Sequence, residues 1–155
     1  MKKRIAAAVL AGAMALSLAP ACGVTEVKAE DNLKIAMVTD SGDITDQSFN
    51  QTTYEACKEW SADNDAEFNY YKPECYSDEA RNASVDQAVA DGANVIVLPG
   101  YMFAATIVEQ SQMYPDVKFI APDVSAGDIC EKGVGEGYTY NPDDYEVTDY
   151  YNADN

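Results

Sequence analysis

The sequence predicts an α/β protein: a parallel sheet of about four strands, in the order 2-1-3-4, flanked by helices. Three observations predict it. Short apolar runs alternate with amphipathic stretches, as in chains that connect strands through helices. The run NVIVL at residues 94–98 is almost wholly apolar, as a strand buried on both faces requires. Gly, Pro and Asp punctuate most transitions between runs. Right-handed crossovers then make the strands parallel.

Each element has its own justification. Residues 34–39, KIAMVT, form the first strand, which stops on Asp40. A turn bearing Gly and Asp follows, and Ser48 opens a helix running to about residue 62. Phe49, Thr53, Cys57 and Trp60 fall on roughly one face of that helix, with Cys57 expected in the core. Residues 67–71 form the second strand, ended by Pro73. The second helix runs from Ser77, its expected N-cap, to about residue 91. Asp78 and Glu79 suit its positive end, and Gly92 suits its stop. Residues 94–98 form the third strand, broken by Pro99-Gly100. The third helix runs from Tyr101 to about Met113, with Tyr101 expected to pack. Residues 117–121 form the fourth strand, ending at Pro122-Asp123.

Beyond Asp123 no period is sustained. Residues 124–155 carry eight Asp/Glu, one Lys, five Tyr and four Gly. They are expected to be an acidic, Tyr-rich tail or a connection towards a further strand. A four-stranded sheet is a small core with an uncovered edge at its fourth strand. The chain is therefore expected to be the front part of a longer protein. The domain proper is placed at residues 33–123.

The first 21 residues read as a signal peptide. Lys2, Lys3 and Arg4 make a basic head, and residues 5–19 are apolar and too short for a comfortable membrane span. Ala19-Pro20-Ala21 precedes Cys22, as in bacterial lipoprotein signals, so Cys22 is expected to carry a lipid anchor. A plain secretory signal cut near Ala21 is the alternative. Either way the protein is exported. With the anchor it sits on the outer face of the cell membrane, and residues 22–32 form a polar tether.

The formal net charge is −17, and removing Lys2, Lys3 and Arg4 leaves −20. Such a surface repels nucleic acid and anionic headgroups. The chain has no His, which excludes a Ser-His-Asp triad, a Cys-His pair and His-based metal sites within it. No phosphate-binding or nucleophile-elbow motif occurs. No cofactor or metal is expected. Cys57, Cys75 and Cys130 match no zinc spacing, and export leaves a Cys57–Cys75 disulfide open.

Open parallel sheets bind ligands at the carboxyl ends of their strands, where the strand order reverses. Here that point lies between strands one and three. Asp40 supplies a carboxylate, Phe49 a flat aromatic face and Asn50 an amide that donates and accepts. Gly100 lets backbone approach a ligand closely, and Asp123 suits a sugar diol. The set fits a small polar molecule with a planar ring. Each residue also has a plainer role: Asp40 as a cap, Phe49 as a core anchor, Asn50 and Asp123 as turn residues. Asp43 and Asp46 read as solvated turn acids.

The segments VTDSGDITDQSFNQ, VIVLPGYMF and YPDVKFIAPDV resemble the basic membrane protein family of substrate-binding lipoproteins, nearest to its purine nucleoside receptors. The resemblance covers about residues 33–124. It implies one lobe of a type I periplasmic-binding-protein-like fold, acting with an ABC permease and not as an enzyme. Carried over, Asp40 and Asn50 would hydrogen-bond a purine base, Phe49 would stack on it, and Asp123 would hold the ribose hydroxyls. The family's second lobe is not found in this sequence. A truncated gene is favoured over a split receptor or a remnant without transport function. Two other readings compete: a nucleoside-processing enzyme using Asp40, Asp43 and Asp46 for acid-base or metal chemistry, and an acidic interaction module acting through residues 124–155.

Overall fold

The computed structural model describes residues 33–135. The signal peptide, Cys22, the tether and residues 136–155 of the acidic stretch lie outside the described residues.

The strands are β1 (Lys34–Val38), β2 (Glu67–Tyr71), β3 (Val95–Val97) and β4 (Lys118–Ile120). They form one sheet in the order β2-β1-β3-β4, and every pair is parallel. The fold class and strand order expected from the sequence are those observed. The helices are α1 (Phe49–Asp63), α2 (Asp78–Ala90), α3 (Ala104–Met113) and α4 (Ala126–Val134). A 3-10 turn at Tyr101–Phe103 leads into α3, where a single helix from Tyr101 was expected.

The period of two along β1 sorts its side chains between two layers. Ala36 and Val38 face a core closed by Val85 and Ala88 of α2, Phe103 and Ile107, and Ile129 of α4. Ile35 and Met37 face the other way, with Val97, against Tyr54 and Cys57 of α1. Tyr54 also packs its ring near Phe68 and edge-on to Tyr70 of β2.

Two local rules stop and start the helices. Ser77 caps α2 by accepting the Ala80 N–H. Gly92, at φ 94, ends the chain's run from α2 in a conformation that favours glycine. The helix α4 departs from the expectation of an aperiodic stretch after Asp123. Ser125 and Asp128 form a reciprocal capping box, and Ile129 and Cys130 are buried. Ala126, Ile129 and Cys130 fall at helical spacing, a period short enough to be overlooked in a stretch with two glycines.

Of the apolar face foreseen on α1, Cys57 packs half-buried against the core, while Phe49 and Trp60 do not enter it. The buried residues of α1 are Asn50 and Ser61, while Phe49 is 42% exposed and Trp60 47%. α1 covers only part of its side of the sheet. Thr53, Cys57 and Trp60 instead form one wall of an open apolar groove of about 560 Å³, with Val95, Val97 and Ile120 opposite. Cys57, Cys75 and Cys130 are free thiols. Among the described residues no helix is long and apolar enough to cross a membrane.

Candidate functional site

The site grows from the end of β1. Thr39 is fully buried and its N–H donates to Tyr71 O, carrying the parallel ladder to the last residue before the turn. The next residue, Asp40, stands where the sheet ends. Its Oδ1 accepts from the N–H groups of Ser41 and Gly42 and from Asn50 Nδ2 at 2.8 Å. Asn50 Nδ2 also donates to Asp46 Oδ2 at 3.0 Å, and Asn50 Oδ1 accepts the Asp40 N–H at 3.3 Å. The buried Asn50 amide thus binds both ends of the turn to α1. It stands behind Asp40 and fixes its direction.

Gly42 makes this possible. A Cβ there would come within 2.6 Å of Asn50 Nδ2 and 3.1 Å of Asp46 Oδ2. Sequence alone does not mark this residue, because a glycine that clears space for an amide looks like one that serves a turn. Asp46 is more than a solvated turn acid. Ser48 makes no side-chain cap, and Asp46 Oδ1 accepts the N–H groups of Ser48 and Gln51 at the start of α1. Asp43 pairs with Lys72 at 2.7 Å.

These contacts set the charges. Burial pushes the Asp40 carboxyl up, but the Gly42 N–H, the Asn50 amide and the Ser41 N–H together outweigh it and hold the group below its ordinary 3.8. Asp46 follows the same pattern: burial raises it, and the Asn50 amide with the Ser48 and Gln51 N–H groups brings it below the ordinary value. The Lys72 ammonium holds Asp43 down. All three are carboxylates at neutral pH.

Asp40 Oδ2 accepts no hydrogen bond among the described residues and turns towards the end of β3. It lies 3.8 Å from where a Gly100 Cβ would stand. Gly100 itself has φ 113 and ψ 150, a region essentially reserved for glycine. Its N–H donates to Pro122 O at 2.9 Å, and its carbonyl accepts the Phe103 N–H at 3.1 Å. Asp123, at φ 65, is exposed immediately after Pro122.

The carboxyl ends of β1, β3 and β4 therefore meet through Asp40, Gly100 and the Pro122-Asp123 step. Phe49 begins α1 next to Asn50 with its ring partly in solvent. Tyr101, expected to pack, is 60% exposed beside Gly100. The larger apolar groove lies along α1 and is lined by none of Asp40, Phe49, Asn50, Gly100 or Asp123. No group of three or more Cys, Asp or Glu among the described residues is arranged to hold a metal ion.

A four-stranded parallel sheet in the order β2-β1-β3-β4 with helices on both faces is the architecture of one lobe of a periplasmic-binding-protein-like fold. The chain belongs to the family described as PnrA-like ABC transporter substrate-binding proteins, which it matches over residues 33–136. It is 29% identical over 160 residues to a CD4+ T-cell-stimulating antigen of Listeria monocytogenes, covering 95% of this chain and 44% of that protein. The same figures hold for the protein of that name in Listeria innocua. A lipoprotein of Pyrococcus abyssi is 29% identical over 138 residues, covering 86% of this chain and 34% of its own length. The chain thus spans less than half the length of these relatives.

Proposed function

We propose that this lobe binds a purine nucleoside and delivers it to an ABC permease, held by a lipid on Cys22 at the outer face of the cell membrane. Asp40 Oδ2 accepts hydrogen bonds from the base. Phe49 stacks on its face. Gly100 lets the base approach the end of β3, and Asp123 takes the ribose hydroxyls. Asn50 serves first by aiming Asp40, with its remaining Oδ1 lone pair as its point of contact with the base.

One observation carries the reading. Asp40 has one oxygen locked by three donors and the other unengaged and turned towards Gly100. A carboxylate whose direction is fixed before binding loses little freedom when it receives a ligand. The half-exposed Phe49 ring and the exposed Asp123 supply the stacking face and the diol acceptor that a nucleoside requires. Asp43 and Asp46, on which a hydrolase would depend, are engaged with Lys72 and with the start of α1.

Calorimetry with inosine, guanosine and adenosine tests the proposal, on protein expressed from its complete reading frame. Binding of at least one is expected, weakened about tenfold in Phe49→Ala by loss of a ring stack and its buried area. Absence of heat with all three removes the nucleoside assignment.

A further inference from the structure

Arg81, on the first turn of α2, is buried to 6% side-chain exposure. It forms an ion pair with Asp78, which is itself partly exposed. Among the described residues its Nε and Nη1 have no hydrogen-bond partner. A buried cation with one carboxylate and two unanswered donors is a poor stabiliser of a fold, because desolvation outweighs most of what a single pair returns. Its contacts are of another kind. The guanidinium carbon lies 5.5 Å from the Tyr76 ring centroid and 5.9 Å from that of Phe103.

Both rings belong to the same small assembly. The Tyr76 hydroxyl donates to Met102 Sδ. Phe103 is fully buried, and its N–H closes the turn on Gly100 O. Tyr76, Met102 and Phe103 thereby connect Arg81 to the turn that presents Gly100 and Tyr101. Gly100 reaches its φ of 113 without steric cost, and a residue with that backbone freedom is held in one conformation by its surrounding contacts. A planar cation that grips the Tyr76 ring before α2 and the Phe103 ring after β3 supplies such a constraint.

We propose that Arg81 is a positioning residue for the binding lip, fixing the Gly100–Phe103 turn through Phe103 and Tyr76. The functional side of this inference rests on the nucleoside reading above; the geometric side does not. An Arg that served only stability would carry fold and lip together. A positioning Arg separates them.

The test uses protein from the complete reading frame, as wild type, Arg81→Met and Arg81→Lys. Three quantities are read: the thermal midpoint, amide hydrogen exchange at Gly100 and Phe103 relative to Met37 in β1, and guanosine affinity. Arg81→Met is expected to leave the midpoint unchanged or higher, since Asp78 remains partly solvated at a helix N-terminus that favours its charge. Exchange at Gly100 and Phe103 is expected to rise about tenfold relative to Met37, with guanosine binding about tenfold weaker, the scale of a desolvated cation–π contact. Arg81→Lys, which keeps a cation near the rings, is expected to recover part of both. Exchange at the two amides that stays unchanged, or that rises only in step with Met37, overturns the proposal. If the wild type binds no nucleoside, the functional reading fails while the exchange ratios still decide the role of Arg81. If Arg81→Met does not fold, the ratios in Arg81→Lys decide it.

Discussion

Asn50 commits both amide hydrogens to carboxylates, Asp40 and Asp46, and receives the Asp40 N–H on its oxygen. That one side chain therefore controls the charge of the lip as well as its shape. In the folded protein Asp40 and Asp46 both sit below their ordinary carboxyl value of 3.8. A depressed acid contributes stability that is present above 3.8 and lost as pH falls through the lower folded value. Asn50→Ala removes a donor from each acid while burial continues to push both upward. The acid limb of a thermal-midpoint profile from pH 7 to pH 2 is expected to move to higher pH in Asn50→Ala. An acid limb that coincides with wild type would show that the amide does not hold these charges. The places of Asp40, Gly100 and Asp123 at strand ends and of Phe49 at a helix start were legible, because such boundaries can be located from sequence. What Asn50 bonds to was not legible. Its partners lie four and ten residues back, and the geometry depends on Gly42 leaving room for the amide. A glycine that serves as clearance looks, in sequence, like a glycine that serves a turn.

The strands were legible because breakers bound them, β1 and β3 as apolar runs and β2 as a short aromatic-rich stretch before Pro73, and α2 because Ser77 and Gly92 mark its ends. Two elements resisted for physical reasons. α1 carries its apolar residues at helical spacing, yet that face looks onto an open groove, since periodicity reports a stripe and not what covers it. α4 is short: Ala126, Ile129 and Cys130 fall at helical spacing over little more than one turn, and its start is written in Ser125 and Asp128. Ser125 accepts the Asp128 N–H at 3.1 Å, and its own N–H donates to Asp128 Oδ2 at 2.9 Å. Ser125→Ala removes the first bond and is expected to cost about 1 kcal/mol of local helix stability. A nine-residue helix with two glycines has little propensity to offset that loss, so α4 should open more often. Cys130, fully buried on α4, reports the opening. Its reaction with a thiol reagent is expected to be about fivefold faster in Ser125→Ala, given ~1 kcal/mol of local destabilisation, while the exposed Cys75 reacts at its wild-type rate. Acceleration of the half-buried Cys57 in step with Cys130 would point to global unfolding.

The molecule as a whole is covered unequally. Parallel sheets are ordinarily buried on both faces. Among the described residues one face of this sheet lies under α2, α3 and α4, whereas α1 alone covers the other and leaves Val95, Val97 and Ile120 lining a groove. Exposed apolar surface of this kind favours association, and a charge of −17 opposes it through repulsion between copies. Trp60 reports the balance, because it is the chain's single tryptophan and stands on the groove wall. The chosen quencher is acrylamide, since iodide would be repelled by the acidic surface and would under-report access. At low ionic strength the emission of this 155-residue chain is expected to be that of a half-exposed indole, readily quenched by acrylamide. At about 1 M salt the Debye length falls to about 3 Å, so repulsion between copies is largely screened while the apolar wall is unchanged. If charge is what keeps the groove open, emission should then shift to the blue and quenching should fall as protein concentration rises. Emission that is already blue and unquenched in dilute, low-salt solution would show that the Trp60 wall is covered, and that the exposed groove is not the form the chain takes in water.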